Sequence, residues 1–227
     1  MLKMIIITGA SSGLGKSIKE HLMNQGNEIF TISRKKENDP NHFQCDVCDY
    51  ENLKNIYKVI RNSGKNINAI INCAGIASMN LTLTTPKIVI NNIINTNLIG
   101  TINVNQIFTP LLIKNKGGRI INFSTIAVSL GLAGEAIYVA SKAGIEGFSR
   151  AFANEVAPLN ITINCIAPGP IKTNLLKGIS EKKIEDIVKR QIIKKIQTPL
   201  SVCEIVDLIL DDKARNITGQ VFHVGGF

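Results

Sequence analysis

Short β-branched runs alternate along this chain with longer segments of helical spacing. Met4–Thr8, Glu28–Ser33, Phe43–Val47, Ala69–Asn72, Arg119–Ser124, Thr162–Ala167 and Gln220–Val224 read as strands. Most are near-continuously apolar (IIIT, AIIN, RIIN), the pattern of strands covered on both faces. Between them, Leu14–Asn24, Leu53–Asn62, Asn97–Lys114, Ala136–Ala157 and Cys203–Leu210 repeat apolar residues at 3.6-type spacing and read as helices. Parallel neighbours need a crossover helix, so the alternation predicts an α/β, doubly wound fold: a seven-stranded parallel sheet with helices on both faces. No repeat, low-complexity linker or compositional break divides the chain. Residues 1–227 are expected to form one domain, with a short substrate loop at 172–200.

Composition narrows the function classes. No apolar run approaches the ~20 residues of a bilayer span. The N-terminal MLKMIIITGA has too short an apolar core for a signal peptide. A cytoplasmic protein with no membrane partner is the expectation. The net charge of +9 raises nucleic-acid binding, but Lys and Arg are spread along the chain and aromatics make up only 5%. No nucleic-acid partner is expected; anionic small molecules or an acidic protein fit the charge at least as well. Five cysteines, an odd number, argue against a disulfide framework. Cys45 and Cys48 form a C-x-x-C with no second pair, and His21, His42 and His223 are scattered, so no metal site is expected.

The stretch IIITGASSGLGKS, from Ile5 to Ser17, fits three motifs. Gly9-Ala-Ser11-Ser-Gly13 is G-x-S-x-G, a hydrolase nucleophile elbow. Ala10–Ser17 is one Gly→Ala change from a triphosphatase phosphate loop. Thr8, Gly9, Gly13 and Gly15 form T-G-x-x-x-G-x-G, a turn able to cradle a dinucleotide at a helix N-terminus. All three want a strand, a tight turn and a helix. A triphosphatase also wants an apolar strand ending in a magnesium-binding Asp, and only the poorly apolar HFQCD ends so. An elbow after the first strand leaves no earlier loop to supply its oxyanion donor, although His223 preserves the Ser…Asp…His order. The dinucleotide reading demands a proton donor, and Tyr138-Val-Ala-Ser-Lys142 offers one. Its Tyr and Lys lie at i and i+4 on one helix face. A phenol titrates near ~10 unaided. A cation one turn away is expected to lower that value.

Y-x-x-x-K alone is weak. Here it follows the glycine turn, Asn72-Cys73-Ala74-Gly75 and Asn97-Leu-Ile-Gly100, and precedes Pro168-Gly169-Pro-Ile171-x-Thr173. The set, in this order across essentially the whole chain, resembles the single-domain short-chain dehydrogenase/reductase family, with its Rossmann fold. Within that family it looks nearest to 3-oxoacyl-[acyl-carrier-protein] reductases.

The resemblance implies an NAD(P)(H)-dependent oxidoreductase that moves hydride between nicotinamide and a carbonyl/alcohol pair. It casts Tyr138 as general acid for reduction and base for oxidation. Lys142 would tune Tyr138 and meet the nicotinamide ribose, and Asn97 would hold a relay water. The family's substrate-orienting Ser, thirteen residues before the Tyr, falls on Thr125, with Ser124 as the alternative. For the cofactor, Gly9, Ser11, Ser12, Gly13, Leu14 and Gly15 would meet the pyrophosphate. Ser33 and Arg34 would meet the adenosine ribose, Asp46 and Val47 the adenine, and Asn72, Ala74 and Gly75 the adenosine side. Pro168, Gly169, Ile171 and Thr173 would surround the nicotinamide. The second strand ends in Arg34-Lys35 with no acid, and a guanidinium pairs well with phosphate, which favours NADP(H) over NAD(H). The span from Arg34 to Phe43 is too brief for the usual helix, which would leave the adenosine pocket partly open.

Val128, Leu130, Leu132, Ile137, Leu175 and Leu176 suggest an apolar acyl or ring substrate, possible carrier linkage included: Lys116 matches a docking position, but Leu159 stands at the second. Relatives pair two long helices across subunits, so a homo-oligomer, tetramer or dimer, is implied. The different functional class kept open is a cofactor-binding regulator or sensor with little turnover.

Overall fold

The computed structural model describes residues 2–171 and 181–227. Seven parallel strands form the sheet: β1 (Met4–Thr8), β2 (Glu28–Ser33), β3 (His42–Gln44), β4 (Ile67–Asn72), β5 (Gly118–Phe123), β6 (Ile161–Pro168) and β7 (Val221–Val224). Their order is β3-β2-β1-β4-β5-β6-β7. The chain winds outward from β1 in one direction and from β4 in the other. That reversal opens a crevice at the carboxyl ends of β1 and β4, where ligands bind in such sheets.

The helices are α1 (Gly13–Asn24), α2 (Tyr50–Asn62), α3 (Lys87–Ile94), α4 (Gly100–Lys114), α5 (Ala127–Leu130), α6 (Ala136–Val156), α7 (Glu181–Arg190) and α8 (Pro199–Leu210). Strand alternation sends Ile6, Ile70, Ile120 and Ile163 to one face of the sheet, where α2, α4 and α6 cover them with Leu53, Ile60, Phe108, Leu112 and Val156. Ile5, Ile7, Ile71 and Ile121 face the other way, against Ile18 and Leu22 of α1 and Val202, Val206 and Ile209 of α8. Local signals fix the helix starts. The Asp49 carboxylate accepts from Asn52 N at 3.0 Å to cap α2, and Thr198 accepts from Ser201 N at 3.2 Å to cap α8, with Pro199 following.

Several expectations need correction. β3 stops at Gln44 instead of Val47, because Asp46 turns the chain by accepting from Cys48 N at 2.9 Å. The helix expected from Asn97 begins ten residues earlier, at Lys87, and runs through a π-helical turn at Asn95–Ile99 into α4. KIVINNII buries only Ile93 and leaves Ile88 exposed, so it lacks the broad apolar face that marks a helix. The span expected as a substrate loop at 172–200 contains α7, whose charged EKKIEDIVKR hides a single buried residue, Ile187.

No helix joins β2 to β3, as the short span implied. Instead residues 34–41 fold back on α1, where Lys19 Nζ lies 2.9 Å from Glu37 and 3.6 Å from Asp39. Beneath the crevice a polar seam crosses the core. Asn72 Nδ2 donates to Asn122 Oδ1 at 2.8 Å, Asn122 Nδ2 donates to Ser149 Oγ at 2.8 Å, and Asn105 Nδ2 reaches Asn122 Oδ1 at 3.3 Å.

Candidate active site

A cavity of about 630 Å³ occupies the crevice, walled by the segments that follow β1 to β6. Its phosphate end is made of backbone. Gly9 has φ +69°, donates its N–H to Ile32 O at 2.9 Å, and lies so close to the next turn that a Cβ would sit 2.7 Å from Ala74 N. A Cβ on Gly15 would meet Gly9 O at 2.4 Å. These two glycines let the turn after β1 pack on the turn after β4, where Ala74 N also donates to Thr8 Oγ1 at 3.2 Å. Gly13 differs: at φ +54° a Cβ there meets nothing within 4 Å, since that side is open cavity. Ser12 caps α1 without a side-chain hydrogen bond, and the helix has no acid in its first turn. Its first N–H groups therefore lack capping partners and favour an anion.

At the adenosine end the cavity is lined by Ser33, Arg34, Lys35, Asp46 and Val47, with Ala74 and Gly75 opposite. Arg34 and Lys35 are exposed, so both cations can meet a ligand without breaking an internal ion pair. The residues present fit a dinucleotide with an added phosphate: a glycine cradle, an uncapped helix start, and two cations at the ribose end. Asn72 does not reach the cavity, because strand alternation turns it into the polar seam. Cys73, its neighbour in the same motif, takes the wall instead.

At the other end, Thr125, Tyr138 and Lys142 line the cavity together with Pro168, Gly169 and Ile171. Tyr138 and Lys142 share one face of α6, with Lys142 Nζ 6.0 Å from the Tyr138 ring centroid. Lys142 is buried and donates to Phe123 O at 2.8 Å. Burial pushes its ammonium down to about 8, against smaller opposing contributions from Cys73 and Cys165. Burial also pushes the Tyr138 phenol up to about 12, with the charge of Glu135 adding and a hydrogen bond from Thr125 opposing. The expected lowering of the phenol is thus corrected: burial and the Glu135 charge raise it. The phenol therefore holds its proton at neutral pH, and a nearby cation favours the phenolate left behind when that proton moves to a more basic oxygen.

Ser124 and Thr125 separate clearly. Both line the cavity, but the buried Ser124 commits its hydroxyl to the Glu146 carboxylate on α6, whereas Thr125 faces Tyr138. Asn97 is buried in the π-helical turn, where its Oδ1 accepts from Ile76 N at 2.8 Å and its Nδ2 donates to Ile76 O at 2.9 Å and to Ser141 Oγ at 3.0 Å. It therefore holds the chain after β4 against α6, and its side chain does not line the cavity. Of the four apolar residues expected near the substrate, only Leu132 lines the cavity; Val128, Leu130 and Ile137 do not. Ile126, Met79 and Ile187 do, together with Glu135. No sequence signal marked Met79 or Ile187, which reach the site only through tertiary packing. Thr173, Leu175 and Leu176 lie outside the described residues.

The model of the short chain dehydrogenase family matches residues 3–184 of this sequence. The chain is a short-chain dehydrogenase. As a member of that family it is an oxidoreductase of the NAD(P)(H)-dependent type. It is 30% identical over 240 residues to 3-oxoacyl-[acyl-carrier-protein] reductase FabG of Staphylococcus aureus, covering 100% of this chain and 98% of that protein. The FabG of Thermotoga maritima is 31% identical over 240 residues, covering 99% and 96%. Among solved structures, the aldohexose dehydrogenase of Thermoplasma acidophilum superposes with a TM-score of 0.89 at 27% identity, covering 99% of this chain and 93% of that one. ElxO with NADP bound gives 0.88 at 28% identity, covering 99% and 97%. Among the described residues of this dehydrogenase, no helix is long and apolar enough to cross a membrane, and no group of three or more His, Cys, Asp or Glu is placed to hold a metal.

Proposed function

We propose that this dehydrogenase is an NADP(H)-preferring reductase of a 3-oxoacyl-type or other apolar ketone. The observation that carries the reading is the meeting of Thr125, Tyr138 and Lys142 in one cavity with the glycine turn and Arg34-Lys35. NADP(H) would lie along the cavity from Arg34 and Lys35, past the amides of Gly13, Leu14 and Gly15, to Pro168 and Gly169, and it would supply or accept the hydride there. The chain's own residues do the rest. Thr125 orients the substrate oxygen, and Tyr138 transfers its phenolic proton to that oxygen. Lys142, cationic below about 8, favours the phenolate that remains. Asn97 keeps the turn after β4 in place. Leu132, Ile126, Met79 and Ile187 exclude water from the reacting atoms.

The preference for NADP(H) is supported by two exposed cations and no acid immediately after β2. The bound NADP of ElxO, similar over almost all of both chains, points the same way. A homo-oligomer built on α4 and α6, with a tetramer the leading form, completes the proposal; light scattering behind a sizing column tests it. Docking of an acidic carrier would use the exposed Lys116 at the end of α4.

The deciding experiment follows NADPH oxidation against β-ketoacyl thioesters, small ketones and quinones, with NADH in parallel. Turnover of thioesters or apolar ketones with NADPH supports the reading, and a clear preference for NADH overturns the cofactor assignment. Absence of turnover on every substrate, with NADPH affinity intact, favours the regulatory alternative.

A further inference from the structure

Among the described residues, the polar groups at the substrate end of the cavity are Ser78, Ser124, Thr125, Glu135, Tyr138 and Lys142. Thr125, Tyr138 and Lys142 are used by the reaction and the Ser124 hydroxyl is committed to Glu146; Glu135 is the acid that the reaction leaves unused. Glu135 is the N-cap residue of α6, one helical turn before Tyr138, and its side chain makes no capping hydrogen bond. Its backbone is held at both ends, with Glu135 N donating to Leu132 O at 3.2 Å and Val139 N donating to Glu135 O at 2.7 Å. The side chain thus leaves from a fixed point on the cavity wall.

A half-buried carboxylate here is costly in two ways. It loses hydration, and burial accordingly raises its proton affinity, against the opposing charge of Lys183 on α7. It also raises the proton affinity of Tyr138, the group that must release a proton. The Lys183 ammonium also donates to Ala133 O at 3.0 Å and reaches Met79 Sδ at 3.1 Å. Asp46, the other acid lining the cavity, is at the adenosine end. A wholly apolar ketone would leave the Glu135 carboxylate desolvated with no donor from the substrate. A ketone carrying a hydroxyl or ammonium would supply one and offset both costs.

We propose that Glu135 is a specificity-determining residue that binds a hydroxyl or ammonium group of the substrate, so that the preferred substrate is a hydroxy- or amino-ketone on an otherwise apolar frame. This rests on the reductase reading of the site and narrows it.

The test compares wild type, E135Q and E135L with NADPH on paired isosteres: 4-hydroxy-2-butanone against 2-pentanone, and 1-hydroxy-2-heptanone against 2-octanone. Wild type is expected to favour the hydroxyketones by about 10-fold or more in kcat/KM, mostly through KM, the range of a hydrogen bond to a charged group. E135L is expected to erase that preference and raise kcat/KM on the plain ketones, while E135Q, of equal size, keeps part of it. Equal turnover of both members of each pair by wild type overturns this proposal alone, as does an undiminished preference in either variant. Turnover of neither member by wild type overturns this inference, and sinks the reductase reading with it when β-ketoacyl thioesters are inert as well.

Discussion

The two ends of the cavity are built from different materials. The phosphate end is backbone: Gly9, Gly13, Gly15 and the open start of α1, with tolerances of tenths of an ångström between Gly15 and Gly9 O. The reacting end is side chain: Thr125 from the end of β5, Tyr138 and Lys142 from α6, and walls supplied by α7 and the segment after β4. A backbone site is specified by what is missing, a Cβ, and fails sterically. A side-chain site is specified by chemistry carried on rigid elements, and fails electrostatically.

The largest effect should come from the reacting end. Tyr138→Phe removes the proton donor while keeping the ring, and kcat is expected to fall by about 10³-fold, within the range of general acid catalysis. NADPH affinity, measured by fluorescence titration, should stay within a few-fold of wild type. A variant that lost cofactor and turnover together would erase the division between the two ends.

The reciprocal break is Gly15→Ala. Its methyl would lie 2.4 Å from Gly9 O, so the turn must open, and NADPH affinity is expected to fall by about 100-fold or more. Gly13→Ala is the internal control. Its methyl meets no protein atom, so its cost to folding is only the left-handed backbone, about 1–2 kcal/mol. Cofactor affinity lost at Gly13 with the fold otherwise intact would show that the open side of Gly13 is where the pyrophosphate lies.

Legibility in the sequence follows the same division. The glycine turn could be read because a missing Cβ is written directly into the sequence, and Tyr138–Lys142 because four residues make one helical turn. The seven strands were legible because β-branched runs covered on both faces have few alternatives. Asn72 was placed on the cavity wall by motif, whereas the pleat turns it into the core. Glu135, Met79 and Ile187 carried no local signal, since what brings them together is the packing of α7 and the turn after β4 over the sheet. The direction of the Tyr138 shift was misjudged for a similar reason. Spacing reveals the neighbouring cation, but burial, which dominates, is a property of the folded whole.

Lys142 couples the reacting end to the stability of the fold. Its ammonium is pushed from an ordinary value of 10.5 to about 8 by burial. Between those values the unfolded chain binds more proton than the folded one, so the stability contribution of this group rises with pH. The burial cost is fully present below about 8 and is relieved above the ordinary lysine range. Lys142→Met should therefore stabilise the protein at pH 7, by on the order of 3 kcal/mol, with the gain fading towards pH 10.5. Denaturant melts at pH 7 and pH 10 measure it. The same titration predicts that reduction by wild type slows as pH rises through about 8 and the cation beside Tyr138 is lost. A gain that does not change with pH would mean that the lysine is not desolvated.

At the adenosine end, Arg34→Asp replaces the proposed phosphate partner with a charge that repels it. kcat/KM for NADPH should drop by about 10- to 100-fold, the value of a charge-assisted hydrogen bond, and the NADH/NADPH ratio should rise. Arg34 is exposed, so the fold should tolerate the change and the thermal midpoint should move little. An unchanged ratio would shift the phosphate contact to Lys35.

The smallest effect discriminates most finely, because it concerns two adjacent hydroxyls. Ser124 and Thr125 follow β5, yet the backbone sends their side chains in different directions. Both line the cavity, but the Ser124 hydroxyl is anchored to Glu146 on α6, while Thr125 faces Tyr138. Thr125→Ala removes the group that steadies the substrate oxygen and is expected to cut kcat by about 10-fold. Thr125→Ser keeps the hydroxyl and drops a methyl that stiffens χ1 and narrows the pocket, so it should retain activity or gain slightly, with the widest gain on bulky ketones. Ser124→Ala leaves the Glu146 carboxylate without its partner. Its cost falls on stability, about 1–3 kcal/mol in denaturant melts, with kcat changed less than about threefold. If the two alanine variants exchanged these phenotypes, the substrate oxygen would be held by the other hydroxyl, and the direction of Thr125 towards Tyr138 would be structural only.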